Sequence, residues 1–588
     1  MLLRVNLTTG RVTSSSVYVH TLGSAGRIYC SGRWRLDNRD EMLGRLRLPP
    51  DVSDAELIVQ AYLAFGESYP ETLLGDFAYA VFDSRDRQLW LVRDHMGVMP
   101  LYYHRVGELC IASPSLDALL SQPDIPRDLD EGVVAEWCVN GRVLNQVDTF
   151  HAAIKKVPRA TRLRLGATSH QAGVYWSPAD VPPLVETREP ALVEQLHDLI
   201  QTAILCRLDA TGGQAAHLSG GLDSTPIAIV AGRACRRQGQ AFHTYNWCRP
   251  EAGDPDDWHE WADAREVARD EGFNHCEIGP TPDTLLEDLL HHDPARDGTT
   301  MFSYERHVVR QARADGVARI FSGFGGDEIL TYRRRDPHYQ ALRTGRFLEV
   351  WRRLVKESDL TRCSSWPRLQ RRYARLLQNA WGFTPTARLK VLRFQQNKVN
   401  IRLGLLKPEF AAHATSMSHD KRAAFLSEGI TRQQTANLGH GYHQERMESW
   451  ALQGWRLGID YVYPYLDKRL VEFALALPSE WYFRQGQDRY LYRQAVDHCL
   501  PVTLKTKGKP REIVRVGQLM QNCKTALENP RVAERIAADS SPYLDAQSLL
   551  SLLDRLRKAD AMPWEQQVQE LSAAFDCLLA RNLIDQRY

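Results

Sequence analysis

The chain has 588 residues, 43% of them hydrophobic and 25% charged, with a formal net charge of +2. That length exceeds what one hydrophobic core supports, so two or more domains are expected. The near-neutral balance argues against nucleic acid as a partner, and with no run of 18 apolar residues no transmembrane helix is expected. Eleven cysteines are scattered without a Cys-x-x-Cys pair or a His/Cys cluster, which argues against zinc and a disulfide framework and fits a reducing cytoplasm.

In chain order, the start Met1-Leu2-Leu3-Arg4-Val5-Asn6 reads as a strand rather than a signal peptide. Segments 17–20, 77–82 and 89–92 alternate or run apolar between turn residues, as strands do. Asp83-Ser84-Arg85-Asp86 has hairpin composition, and the capping box Ser53-Asp54-Ala55-Glu56 opens a helix over 54–65. Residues 1–180 are thus a β-rich domain, followed by a proline- and acid-rich linker over 178–190. From 190 to 525 helical segments such as 191–208 alternate with short apolar strands at 215–218, 241–247 and 317–321. That rhythm predicts a mixed α/β fold with a doubly wound parallel sheet, whose ligands sit outside the carboxyl ends of the strands. Residues 336–445 form a helical, arginine-rich insert in which 352–402 holds thirteen Lys/Arg against Glu357 and Asp359. This is either a solvated helical face or a docking surface for an acidic peptide or partner protein. Residues 526–588 read as a helical C-terminal extension.

Two glycine-rich motifs follow strands. The first is Ser219-Gly220-Gly221-Leu222-Asp223-Ser224, at a strand-to-helix turn where backbone N–H groups can cradle a pyrophosphate. It lacks the Gly-Lys-Ser/Thr ending of a Walker loop and resembles the PP-loop of enzymes that cleave ATP between the α and β phosphates. The second is Ser322-Gly323-Phe324-Gly325-Gly326-Asp327-Glu328. Both turns fall at strand ends, so Asp223 and Asp327 are expected to share one Mg²⁺. Ser219, Gly220, Gly221, Ser224, Ser322, Gly323 and Gly325 are the expected nucleotide contacts.

With these motifs the chain resembles the asparagine synthetase family, which includes β-lactam synthetases and lasso peptide cyclases. The first half contributes Leu73-Leu74-Gly75-Asp76-Phe77-Ala78-Tyr79-Ala80 and Arg93-Asp94-His95-Met96-Gly97-Val98-Met99-Pro100-Leu101-Tyr102-Tyr103. These resemble the family's glutaminase half, which has an N-terminal-nucleophile fold. The second half adds Ala264-Arg265-Glu266-Val267-Ala268, Tyr463-Pro464-Tyr465-Leu466-Asp467-Lys468-Arg469 and Leu500-Pro501. A working glutaminase needs a cysteine after the initiator Met; here that position is Leu2, the Arg-Gly-Pro-Asp segment is missing, and Cys30 lies inside the chain. The first domain is therefore expected to release no ammonia. Asparagine synthetases carry Glu at the Phe324 position, whereas β-lactam synthetases carry Tyr there, working with a Glu that falls near Arg446, or at Glu445 if the alignment is off by one. Phe324 cannot take a proton.

Among the members, the chain is most similar to lasso peptide cyclases, through Gly32-Arg33-Trp34-Arg35-Leu36-Asp37-Asn38-Arg39-Asp40-Glu41, the Gly-Gly-Asp-Glu ending of the second motif and the basic insert. The resemblance implies ATP, Mg²⁺, adenylation of an Asp or Glu side chain in a core peptide, and macrolactam closure by that peptide's N-terminal amine. It implies a charge-stabilising lysine after Leu-Pro, at Lys509 with Lys507 as runner-up, an acidic position at Glu260, and adenine near Tyr245-Asn246-Trp247. Arg489 and Arg493 sit four apart on one predicted helix face before Leu500, turned to either phosphate or solvent. The partners implied are the precursor peptide, a leader-binding protein and a leader peptidase. The alternatives are a small-molecule amide ligase and a catalytically dead ATP- or peptide-binding scaffold.

Overall fold

The structure, a computed structural model, describes all residues except 23, 25, 187, 210–211, 248–258, 292–301, 332–341, 343–344, 362–365, 381–395, 416–429, 486, 507–520, 539–540, 559–563 and 586–588. Its first part is built from β1 (Leu3–Asn6), β2 (Val12–Ser14), β3 (Tyr18–Thr21), β4 (Arg27–Leu36), β5 (Gly75–Asp83), β6 (Gln88–Arg93), β7 (Tyr102–Val106), β8 (Leu109–Ser113), β9 (Lys155–Lys156), β10 (Thr161–Leu165) and β11 (His170–Val174). They make two antiparallel sheets, ordered β2-β1-β8-β7-β9 and β11-β10-β6-β5-β4-β3. On β5, Ala78, Ala80 and Phe82 face one core while Phe77, Tyr79 and Val81 face another. Side chains alternate across a strand, so a strand buried on both faces reads as one unbroken apolar run. The helix Asp54–Phe65 starts where the capping box put it: the Ser53 hydroxyl accepts the Glu56 N–H.

Arg93-Asp94 closes this domain from within. The Asp94 carboxylate accepts the N–H groups of Met96, Val98 and Met99, folding the segment into a tight loop. That loop carries Met96 and Val98 into the core of the second domain.

The second part holds a five-stranded parallel sheet of β12 (Gly213–His217), β13 (Phe242–Asn246), β14 (Asn274–Glu277), β15 (Val317–Phe321) and β16 (Asp460–Val462). Its order is β14-β13-β12-β15-β16, so the winding reverses between β12 and β15, the switch point at which parallel sheets bind ligands. Helix Ser224–Arg237 leaves β12 through the first glycine-rich turn. The stretch between 336 and 445 contains helices Phe347–Thr361, Trp366–Ala380, Pro408–Thr415 and Ile430–Gly439.

Helices Pro530–Ala537, Ala546–Arg557 and Trp564–Asp585 share a core with helix Glu131–Asn140 of the first part and with Pro408–Thr415. Trp137 is fully buried there and donates its Nε1–H to the Asp576 carbonyl at 3.3 Å. Among the described residues no helix is long and apolar enough to cross a membrane.

The two halves are also joined by charge. Arg93 donates to Glu448 Oε1 at 2.7 Å and Lys156 to Glu448 Oε2 at 3.3 Å, all three buried. Arg207 bridges Asp37 (2.9 Å) and Asp467 (2.7 Å), and its neighbours hold the Asp467 carboxyl well below the usual carboxylate range despite burial. Asp37, Cys206 and Asp467 offer ligand atoms within 4.8 Å of one another. The guanidinium groups of Arg207, Arg35 and Arg469 already pair with these acids, so the cluster is an ion-pair network rather than a metal centre.

Candidate active site

The site is assembled at the carboxyl edge of β12 and β15. Gly220 takes φ +75°, a left-handed conformation that suits glycine, and turns the chain back on itself. Inside the turn the hydroxyls of Ser219 and Ser224 meet at 3.0 Å, the Ser219 N–H donates to Ser224 Oγ at 3.1 Å, and the Gly221 N–H donates to Ser219 Oγ at 3.2 Å. The turn is pinned from below. Tyr465 donates to the Asp223 carbonyl (2.9 Å), Tyr492 to the Leu222 carbonyl (3.1 Å), and the two phenols meet at 2.6 Å.

The second turn lies directly against the first, and glycines permit the approach. A Cβ on Gly323 would stand 3.2 Å from the Ser224 backbone, and one on Gly326 would stand 2.9 Å from Asp223 Cγ. Gly325 takes φ +98° and backs onto Leu466. Ser322, buried, uses its hydroxyl to accept the Phe324 N–H at 3.2 Å, so it caps its own turn.

Asp223 and Asp327 converge as their motifs predict. The Arg489 guanidinium donates to Asp223 (3.2 and 3.4 Å) and also to Asp327 Oδ1, while Thr331 Oγ1 donates to Asp223 Oδ1 at 2.8 Å. Arg489 is buried and precedes helix Tyr490–Val496 with φ +57°. Two carboxylates facing one cationic group is a donor set that fits a hard divalent cation such as Mg²⁺. Arg493 points elsewhere: it donates to the carbonyls of Asp488, Leu504 and Lys505. It thereby anchors the chain just ahead of Lys507 and Lys509, which lie outside the described residues. Glu260 is the second residue of helix His259–Glu271, and its side chain also lies outside them.

Beside the turns, Phe324 is buried under a cation. The Arg446 guanidinium stands 4.2 Å from the Phe324 ring centroid and 4.5 Å from that of Trp450. His443 and Tyr463 complete the surround, at 5.5 and 6.0 Å between ring centroids. Glu445 turns away and accepts the Val143 N–H of the first domain at 3.1 Å. Arg446, not Glu445, therefore occupies the position facing Phe324. Glu328 is nearby, accepting the Gly325 N–H at 3.0 Å; burial pushes its carboxyl up and Arg446 pulls it back.

The strand end at Tyr245-Asn246-Trp247 is more occupied than its sequence suggests. The Tyr245 carbonyl accepts the Leu218 N–H (2.9 Å) and the Asn246 carbonyl the Ile278 N–H (2.7 Å), so one lone pair of each is already taken by the fold. Trp247 Nε1 donates to Glu305 at 2.7 Å. Glu305, fully buried, also receives His217 Nε2 at 3.0 Å and the Tyr461 hydroxyl. No motif groups this cluster, because its four members come from four separate segments, and Arg446 entered the sequence reading only as an alignment position. The tyrosine pins were half legible: Tyr465 lies in the Tyr463-Pro464-Tyr465 motif, and Tyr492 in no motif.

Two glycine-rich turns with converging acids, at the switch point of a parallel sheet, define an α/β enzyme site of the nucleotide-activating kind. Residues 195–580 match the asparagine synthase family and residues 36–176 the glutamine amidotransferase domain family. The first match covers more than half of the chain, and the chain belongs to the asparagine synthase family; its class is that of ATP-dependent, AMP-forming carbon–nitrogen ligases. It is 23% identical over 485 residues to asparagine synthetase (glutamine-hydrolyzing) 3 of Bacillus subtilis, across 79% of this chain and 71% of that one. It is 27% identical over 295 residues to asparagine synthetase B of Escherichia coli, across 47% of each. An NH3-dependent NAD synthetase from Campylobacter jejuni aligns over 41% of this chain and 98% of its own, at 16% identity and a TM-score of 0.17, too weak a likeness to carry weight.

Proposed function

We propose that this ligase closes a macrolactam within a peptide, as lasso peptide cyclases do. The observation that carries the reading is Phe324 under Arg446: where a small-molecule ligase of this family would keep an acid–base residue, this chain stacks a guanidinium on a phenyl ring. The amine side supports it. Leu2 packs against the cluster of Ile111 and Leu116, and Cys30 is buried with its thiol pushed far up, so neither offers a thiolate for glutamine. Between the halves, the space lined by Met96, Phe324, Leu438, Met447 and Leu466 measures about 10 Å³, room for no more than a water molecule.

In this reading a carboxylate oxygen of the peptide's Asp or Glu attacks the α-phosphorus of ATP. The bond to the β-phosphate oxygen breaks, and pyrophosphate leaves with the electron pair. Ser219, Ser224 and the N–H groups of Gly220 and Gly221 would hold that leaving group, the Gly221 N–H giving up its bond to Ser219 Oγ, with Gly323 and Gly325 keeping the second turn close. Mg²⁺, held by Asp223 and Asp327, would supply charge neutralisation on the phosphates. Arg489 already provides a positive group at the same two acids. The peptide's N-terminal amine then attacks the acyl carbon, AMP leaves with the acyl–oxygen electrons, and the ammonium proton passes to solvent. Positioning carries this chemistry, with Lys509 as the proposed stabiliser of the charge on the transferring group. A leader-binding protein and a leader peptidase are proposed as partners, and the cytoplasm, with its ATP, as the setting.

One observation favours a second reading: both sequence relatives described above are named asparagine synthetases. An ammonia-dependent amide ligase acting on a small acid would use the same two turns. The purified protein with Mg-ATP and leaderless peptides bearing Asp or Glu near positions seven to nine separates the two by mass spectrometry. A peptide lighter by one water, with matching AMP and pyrophosphate, supports the cyclase; asparagine formed from aspartate and ammonium, with no peptide product, refutes it.

A further inference from the structure

The basic insert holds a small core of its own. Helices Phe347–Thr361 and Trp366–Ala380 bury Val350, Leu354 and Leu369 together with Leu342, apart from every other core. Trp366 stacks on Trp351 at 5.6 Å and 28°, and Tyr373 meets Trp351 edge-on at 5.1 Å while its hydroxyl donates to the Phe347 carbonyl at 3.1 Å. Trp366 is 62% exposed, and Leu348, three residues before Trp351 and so on the same side of its helix, is 71% exposed. A tryptophan already fixed by stacking loses little freedom when something covers it, and Trp and Arg are both enriched among interface hot spots.

Charge says what would cover it. Helix Trp366–Ala380 carries Arg368, Arg371, Arg372 and Arg375 and no acid. Residues 352–402 hold thirteen bases against two acids, a surplus of eleven in a chain whose total is only +2. Arg352 and Arg371 are exposed. Guanidinium groups pair bidentately with carboxylates. The aliphatic Leu348 beside the carbonyl that Tyr373 grips offers packing to a side chain and no stacking face to a base.

We propose that this hairpin is a docking surface for an acidic peptide segment with one bulky apolar anchor, presented by a partner chain. The apolar anchor covers Trp366 and Leu348 while flanking carboxylates meet Arg371 and Arg352. The inference stands apart from the cyclase reading, because binding is measured without turnover.

The probe is a fluorescein-labelled twelve-residue peptide of glutamates around a central Phe-Leu pair, titrated with the full-length protein by anisotropy. Saturable binding is expected, weakened at least tenfold by Trp366→Ala and by Arg371→Glu, and lost when the glutamates become glutamines. Arg371→Glu alters an exposed side chain, so it keeps the test open should Trp366→Ala fail to fold, and ATP–pyrophosphate exchange at the wild-type rate certifies the fold of both. Equal binding by the variants, equal binding of the glutamine peptide, or a single-stranded DNA twelve-mer that binds more tightly and is weakened by the same two substitutions would overturn the proposal.

Discussion

Glu445→Gln tests the electrostatics of the seam between the halves. Burial pushes the Glu445 carboxyl up to about 8; Arg142, the Val143 N–H and Lys156 pull it down, and Glu448 adds to the rise. In the unfolded chain the same group titrates at its ordinary value of 4.5. Between those two values the folded protein keeps a proton that the unfolded chain gives up, so stability falls as pH rises through the window and the loss is complete above about 8. At 1.36 kcal/mol per unit the gap amounts to roughly 5 kcal/mol. Glutamine cannot titrate and still offers an oxygen to the Val143 N–H. The Gln variant should therefore hold its Tm where the wild type declines: about 4 kcal/mol of the gap opens between pH 5 and pH 9, and at just under about 1 °C per kcal/mol for a cooperative unit of 588 residues the Tm difference is about 3 °C. Scanning calorimetry of the full chain at one fixed scan rate measures it. Parallel Tm–pH curves for the two proteins would refute the buried, protonated carboxyl.

Three further outcomes are expected. Asp223→Asn and Asp327→Asn should each lower ATP–pyrophosphate exchange at least a hundredfold, and the double variant should be little worse than either, because both acids serve one cation; additive losses would separate them. Gly326→Ala puts a Cβ 2.9 Å from Asp223 Cγ. It should raise the KM for Mg-ATP several-fold with Tm unchanged within about 2 °C, and wild-type kinetics would show that the turns need not touch. Trp137→Ala empties a fully buried site and removes the donor to the Asp576 carbonyl. A loss of about 3–5 kcal/mol is expected in the denaturant transition that melts the C-terminal helices, and a loss below about 1 kcal/mol would show that those helices are held elsewhere.

The legible parts of this protein were those governed by local rules. The helix at Asp54–Phe65 follows from its cap, β15 at Val317–Phe321 from its apolar run, and both phosphate-type turns from glycine placement. β14 and β16 were missed: Asn274–Glu277 is short and polar at both ends, Asp460–Val462 is three residues long, and only pairing with β13 and β15 makes them strands. The convergence of Asp223 and Asp327 was foreseen because each sits at a strand end. Arg489 was read with Arg493 as one helix face, yet it stands just before the helix in a left-handed conformation and reaches the acids that Arg493 does not. The Glu445 or Arg446 ambiguity could not be resolved from spacing, since adjacent helix residues differ by about 100° in direction and only the packed helix shows which one meets Phe324.

The buried contact of Glu448 with Arg93 and Lys156 binds the fates of the two halves. Each half presents, at its inner face, a buried charge that the other half pairs: a carboxylate on one side, a guanidinium and an ammonium on the other. Stripping one partner from such a pair typically leaves a penalty of about 3–5 kcal/mol, a large part of a domain's whole margin of stability. The first part is thus no detachable appendage. It acts as a permanent in-line folding partner, and dividing the gene between the halves would yield two proteins each short of a counter-ion.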